Sequence, residues 1–165
     1  MSVADASKKI ALSWGDYAQK EGMSRMNIIL VGHGKTGPAM KDAVEMIFGA
    51  MPRCYPVEFL PGDGYESLTA TLEETVSTNR LRPEETIVVA DLFSGSPYNA
   101  AATLAIKGRV SDVIAGMSLP ICLTLAQYAT ADDPAPAVRE IAAQAATFTR
   151  ILSDELKQSE DEEDF

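Results

Sequence analysis

Apolar runs of strand length alternate with segments of helical periodicity along the middle of this chain. A strand, a helix and a second strand joined in this order form a right-handed βαβ unit. The alternation therefore predicts an α/β fold, with an open, mainly parallel sheet and helices on both of its faces. The predicted strands are 26–32, 54–60, 86–91 and 112–117, and the predicted helices between them are 38–48, 65–78 and 97–107.

Two of these helices carry apolar residues at i, i+3 and i+4 spacing, which predicts one buried face on each. The first face comprises Met40, Ala43, Val44, Ile47 and Phe48. The second comprises Leu68, Leu72, Thr75 and Val76.

The pattern changes after the fourth strand. Residues 118–129 indicate a short helix, and another begins after Asp132 or Asp133, just before Pro134. Residues 147–152, TFTRIL, alternate β-branched side chains with other types. That alternation fits a fifth strand as well as the end of a helix, and the pattern alone leaves both open.

The 165 residues suit one domain with a sizeable core, which we place at 26–157. Residues 1–25 are an N-terminal extension, an appended helix or a cloning remnant, with Met23 as another possible start of the fold. Residues 158–165 are strongly acidic, which is typical of a disordered tail. The net charge of −10 argues against nucleic acid as the main partner, because phosphate contacts need clustered Lys or Arg.

Cysteine and histidine usage argues against a metal centre, and we expect no cofactor. Cys54 and Cys122 form no CxxC pair, and the one histidine cannot complete a common zinc set. We expect two buried, reduced thiols instead. The sequence has neither an apolar run of ~18–20 residues, the length that spans a bilayer, nor a signal peptide, so we predict a cytoplasmic protein.

That one histidine, His33, follows the first predicted strand and lies between Gly32 and Gly34. Ligands of open parallel sheets bind beyond the carboxyl ends of the strands, and helix N-termini there offer N–H groups to an oxyanion. The two glycines permit unusual backbone angles and leave the imidazole open to a partner. His33 is therefore a candidate functional residue, although a histidine that merely ends a strand would give the same pattern.

A second candidate cluster is ADLFSGSPYNAA, residues 90–101. Asp91 ends the third predicted strand, so its carboxylate can face His33 across the strand ends. Ser94 lies in a small polar loop, and Ser96 is the expected N-cap of a helix beginning at Pro97. Ordinary loop closure and helix capping remain an alternative for Asp91, Ser96 and Asn99.

Four segments together resemble one family: ILVGHGKTGPAMKDAVEMIFG, VEFLPGDGYESL, DLFSGSPYNAA and DVIAGMSLPICL. In order and spacing they are similar to the EIIA domains of the mannose/fructose/sorbose family of the bacterial sugar phosphotransferase system (PTS). The resemblance covers about residues 26–152. It implies that His33 accepts a phosphoryl group from the phosphocarrier HPr and passes it to an EIIB partner, which serves a membrane permease.

The resemblance also assigns roles to single residues. Asp91 corresponds to the family aspartate that contacts and orients the histidine, and Ser96 to the serine near the phosphate. As a hypothesis, phosphoryl oxygens are bound around two loops, which contribute Gly34, Lys35, Thr36, Ser94, Ser96 and Asn99. Lys35, Thr36 and Gly37 depart from what other members carry, which leaves the rim of the site and its partner preference open.

The family's usual homodimer exchanges a C-terminal strand, which favours an antiparallel fifth strand at 147–152. Two other functions remain open from the sequence. The chain could relay phosphate to a dihydroxyacetone kinase, or it could be a regulatory protein whose His33 phosphorylation controls binding to a target. The sequence names no sugar.

Overall fold

The computed structural model describes residues 25–131 and 133–156. The predicted acidic tail lies outside these ranges, as do Asp132 and all but the last residue of the N-terminal extension. The strands are β1 (Asn27–His33), β2 (Cys54–Phe59), β3 (Thr86–Ala90) and β4 (Asp112–Ala115). The helices are α1 (Thr36–Phe48), α2 (Tyr65–Thr78), α3 (Ser96–Ile106), α4 (Leu119–Gln127) and α5 (Ala135–Gln144). Short 3-10 helices occupy Pro83–Glu85 and Ala145–Phe148.

The described strands form one parallel sheet in the order β2-β1-β3-β4. This confirms the predicted α/β class. From β1 the chain moves outward to the edge strand β2, then returns past β1 to form β3 on its other side. The strand order therefore reverses between β1 and β3. In open parallel sheets this reversal is where ligands bind, beyond the carboxyl ends of the strands.

Alternate residues of the central strands face two separate hydrophobic layers, as expected for strands that are buried on both sides. In β1, Ile28 and Leu30 join the layer covered by α1, α4 and α5. Ile29 and Val31 join the opposite layer, covered by α2 and α3. The two layers fix β1 and β3 rigidly between them, so the ends of these strands form a firm base for side chains.

The predicted buried face of α2 is largely confirmed, since Leu68, Leu72 and Val76 are buried. The face of α1 is narrower than predicted. Val44 is fully buried, but the Ile47 side chain is 49% exposed. The buried row of α1 follows i, i+4 spacing through Val44, and Ile47 falls to one side of that row.

The predicted fifth strand, residues 147–152, does not form within the single chain. Helix α5 leads directly into the 3-10 helix Ala145–Phe148, and residues 152–156 are helical. A strand needs a neighbouring strand to take up its N–H and C=O groups. Exchange of this segment between two copies therefore stays a prediction about an assembled form of the protein.

The outer edge of β2 offers few hydrogen-bond donors. The Ile28 N–H donates to the Arg53 carbonyl at 3.0 Å. Arg53 and every second residue after it therefore direct their main-chain groups toward β1. Because successive residues of a strand alternate in direction, Cys54, Pro56 and Glu58 direct their main-chain groups outward. The Cys54 N–H is bonded within its own loop, and proline has no N–H. The Glu58 N–H is the donor that remains.

Cys54 and Cys122 are buried free thiols, which confirms the expectation from the sequence. Burial raises the pKa of both thiols to about 12, because an apolar environment disfavours the thiolate. Both thiols are therefore protonated near neutral pH. In the described ranges we find no helix with the length and hydropathy that a membrane span requires.

Candidate functional site

His33 is the last residue of β1, and its side chain is 50% exposed. Its ring Nδ1 lies 3.0 Å from Oδ2 of Asp91. Its backbone N–H donates to the same oxygen at 2.7 Å. An ionised carboxylate only accepts hydrogen bonds, so Nδ1 carries the ring hydrogen in this contact. The other ring nitrogen, Nε2, then keeps its lone pair and is the nucleophilic atom of the ring.

Asp91 directly follows β3, so the reversal of strand order brings it beside His33. Its second oxygen, Oδ1, is buried and has no hydrogen-bond partner among the described residues. Gly32 provides the space for this carboxylate, because a Cβ added at Gly32 would lie 2.9 Å from both Cγ and Oδ2 of Asp91. The sequence identified Gly32 only as a flexible neighbour of the histidine, whereas the structure shows that it makes room for Asp91.

Phe59, which the sequence did not single out, supports the imidazole from the neighbouring strand. The two ring centroids lie 5.5 Å apart in an edge-to-face arrangement with an interplanar angle of 70°. Beyond His33, the chain turns at Gly34, whose φ is +60°. The Gly34 N–H donates to the Phe59 carbonyl at 2.7 Å. The position of Phe59 at the same level of the adjacent strand could have suggested this contact.

The first turn of α1 lies directly after the histidine. The Thr36 hydroxyl donates to the His33 carbonyl at 2.6 Å and thereby ties the start of α1 to the end of β1. A Cβ added at Gly37 would lie 2.5 Å from the Leu30 carbonyl oxygen, so only glycine lets α1 approach the sheet this closely. The exposed Lys35 side chain forms no hydrogen bond or ion pair within the described ranges.

A turn formed by residues 92–95 also borders the site. Ser94 has φ of +60°, a conformation that non-glycine residues rarely adopt. The Gly95 N–H donates to the Leu92 carbonyl at 3.2 Å and closes the turn. A Cβ added at Gly95 would lie 3.3 Å from Cε1 of His33. The turn therefore packs directly against the imidazole.

The start of α3 differs from the prediction. The helix begins at Ser96 rather than Pro97, its N-cap is Gly95, and no side chain caps it. The expected role of Ser96 as a side-chain cap is therefore wrong, since Ser96 is itself the first helical residue. Its hydroxyl makes no hydrogen bond in the part of the chain that the structure describes. The Asn99 amide nitrogen donates to the Ser94 carbonyl at 3.1 Å.

The arrangement as a whole suits an oxyanion next to a nucleophile. The N-termini of α1 and α3 both lie at the carboxyl end of the sheet, next to the loops that carry His33 and Asp91. N–H groups in the first turn of a helix lack partners within that helix and attract anions. The structure thus brings together the histidine, the aspartate and two groups of main-chain donors, whereas it directs the side chain of Asn99 to the neighbouring turn.

Known proteins are similar to this chain in sequence and in fold. The family model EIIA-man, described as PTS system fructose IIA component, matches residues 27–143. The sorbose-specific EIIA component of Lacticaseibacillus casei is 39% identical over 140 residues, covering 85% of this chain and 100% of that protein. The sorbose-specific EIIA component of Klebsiella pneumoniae is 36% identical over 122 residues, covering 72% and 88%.

The same fold occurs in a solved structure, the phosphotransferase system component EIIA from Streptococcus agalactiae. It superposes with a TM-score of 0.70 at 20% identity and covers 78% of this chain and 98% of that one. The family model extends from the start of β1 to Ala143 in the last turn of α5 and so contains both His33 and Asp91. The chain therefore belongs to the EIIA-man family of the phosphotransferase system.

Proposed function

We propose that this chain is a phosphocarrier in which Nε2 of His33 accepts a phosphoryl group from phospho-HPr and passes it to an EIIB protein. The observation that carries the proposal is the contact of Nδ1 with Asp91, which leaves Nε2 as the free nitrogen of a half-exposed ring. Family membership supports the same chemistry. We assign the exchange to the cytoplasm, in keeping with the two free thiols.

In the first step the lone pair of Nε2 attacks phosphorus as the bond between phosphorus and the donor histidine breaks. The donor nitrogen regains its electron pair, and His33 becomes a positively charged phosphoimidazole that still carries hydrogen on Nδ1. Phosphoryl transfer has a loose, in-line transition state, so positioning and charge stabilisation supply most of the catalysis. Asp91 holds the ring in place and stabilises its new positive charge. Transfer to EIIB repeats the step with the roles of donor and acceptor exchanged.

The phosphoryl oxygens bind between the two loops beside the ring. Main-chain N–H groups of Lys35 and Thr36 lie at the start of α1, and those of Ser94 and Ser96 lie at the start of α3. The Gly34 N–H is already bonded to the Phe59 carbonyl at 2.7 Å, so Gly34 contributes the turn rather than a donor. Donors that are already in place where charge develops act strongly, because they need no reorganisation. The Ser96 hydroxyl and the Lys35 ammonium, which have no partner among the described residues, add a donor and a positive charge at this rim.

The decisive experiment incubates the chain with the general phosphotransfer proteins and phosphoenolpyruvate, followed by intact-mass measurement. The wild type gains one acid-labile phosphoryl group, and His33→Ala gains none, because no second histidine exists. Asp91→Asn accepts the group about 10- to 100-fold more slowly, the loss expected for a hydrogen bond to a charged group. A labelled His33→Ala variant would contradict the assignment.

A second stage of the same experiment identifies the acceptor. Phosphorylated protein, freed of phosphoenolpyruvate, is mixed with an EIIB protein or with a dihydroxyacetone kinase. Loss of the label to EIIB alone supports the transport role. Transfer to the kinase alone, or to neither protein, would overturn it in favour of a kinase relay or a regulatory role.

We also propose that the protein is a homodimer in which residues 147–152 of each copy pair with β4 of the other. Ile151 and Leu152 are 59% and 74% exposed, which is a large apolar exposure for a terminal segment. Of the two sheet edges, β2 contains Pro56 and β4 contains no proline. The edge at β4 is therefore the better acceptor of an added strand.

A further inference from the structure

The turn of residues 92–95 has a backbone conformation that its own sequence does not favour. Ser94 adopts φ of +60°, where the side chain of an L-amino acid crowds its own backbone. A glycine would adopt this angle without penalty, but the chain has serine there. The conformation therefore depends on contacts from outside Ser94.

Asn99 supplies one such contact. Its side-chain amide nitrogen reaches back from the first turn of α3 and donates to the Ser94 carbonyl at 3.1 Å. The main-chain N–H of Asn99 donates to the Gly95 carbonyl at 2.9 Å, so this residue is itself fixed by the helix. Asn99, which is fixed in the helix, thus holds the carbonyl of Ser94.

The position of this turn affects the reactive ring directly. Gly95 faces Cε1 of His33, where an added Cβ would lie 3.3 Å away. Cε1 lies between the two ring nitrogens, one bonded to Asp91 and the other free to react. A shift of the turn therefore changes the space beside Nε2, where phosphoryl oxygens must enter.

We propose that Asn99 is a positioning residue for phosphoryl transfer: it holds Ser94 at positive φ and so keeps the 92–95 turn against the imidazole. The inference rests on the proposed function of His33 as a phosphoryl acceptor. It assigns Asn99 to the turn rather than to the phosphate, so Asn99 acts through Ser94 and Gly95.

The test measures single-turnover phosphorylation of His33 by phospho-HPr in four variants. Asn99→Ala slows the reaction about tenfold, the loss expected for one neutral hydrogen bond. Ser94→Gly alone gives the reference rate for the double variant, since glycine keeps the main-chain N–H that the proposed phosphate site uses. In the double variant, Ser94→Gly restores most of the rate lost in Asn99→Ala, because glycine adopts the required angle unaided.

The matched control is Asn79→Ala. Asn79 makes the same kind of bond, from its amide nitrogen to the Thr75 carbonyl at 2.9 Å, but it caps the far end of α2. We expect this variant to react at the wild-type rate. Backbone amide chemical shifts of Ser94 and Gly95 in the unphosphorylated protein give a second readout, which moves in Asn99→Ala and returns toward wild type in the double variant.

The outcomes separate the two proposals. A wild type that accepts no phosphate overturns the proposed function and this inference with it. A labelled wild type together with an unaffected Asn99→Ala rate overturns the inference alone. A double variant as slow as Asn99→Ala also overturns it, because the rate loss would then not come from the backbone angle of Ser94.

Discussion

Gly32 and Gly95 shape the site through the side chains they lack. The first leaves room for the Asp91 carboxylate, and the second leaves room for the edge of the His33 ring. Neither has a positive φ, so backbone freedom does not explain why glycine is present. Steric clearance explains it, since an added Cβ would overlap the Asp91 carboxylate at Gly32 and press on the His33 ring at Gly95.

Gly32→Ala therefore displaces the Asp91 carboxylate, because the new Cβ would lie 2.9 Å from Oδ2. We expect phosphorylation of His33 to slow about 10- to 100-fold, as when a hydrogen bond to a charged group is lost. Single-turnover labelling by phospho-HPr measures this. Gly64→Ala is the matched control, since a Cβ there meets nothing within 4 Å. Equal rates in both variants would show that the carboxylate position is not critical.

One close approach sets how near the first turn of α1 lies to the sheet. Gly37 lies against the backbone of both β1 and β2, where a Cβ would be 2.5 Å from the Leu30 carbonyl and 2.9 Å from the Val57 carbonyl. The strand backbones cannot easily move, because they are fixed in the sheet. The N-terminus of α1 therefore reaches the site only if residue 37 is glycine.

Gly37→Ala should lower the free energy of unfolding by about 1–3 kcal/mol, the usual cost of overpacking. Urea denaturation followed by circular dichroism measures the change. The phosphorylation rate should fall as well, since the first turn of α1 moves away from His33. An unchanged midpoint of denaturation would mean that α1 can shift away from the sheet without a loss of stability.

The elements of the fold and the central pair of the site were predictable from the sequence. Hydrophobic periodicity located each strand to within two residues, and the rule for strand ends brought His33 and Asp91 together. The contributions of Gly37 and Asn99 were not predictable in this way. Each depends on distances between segments that are remote in the chain, or on a backbone angle, and local patterns carry neither.

The whole molecule presents two unlike sheet edges, and the homodimer is a prediction at this scale. Ile151→Asp together with Leu152→Asp should yield a monomer, because two charges would enter the proposed interface. Sedimentation or light scattering should give twice the 17.7 kDa chain mass for the wild type and that mass alone for the variant. Met46→Asp is the control, since Met46 is 88% exposed on α1. A monomeric wild type would refute the dimer.

The outer edge of β2 limits how large any assembly through sheet edges can grow. With the Cys54 N–H bonded in its own loop and Pro56 lacking an N–H, that side keeps the Glu58 N–H as its donor and is a poor template for another chain. Extension is left to the opposite side, and a reciprocal pairing there uses up the open side of both molecules. Association of the proposed kind would therefore end at two copies instead of growing into a fibre.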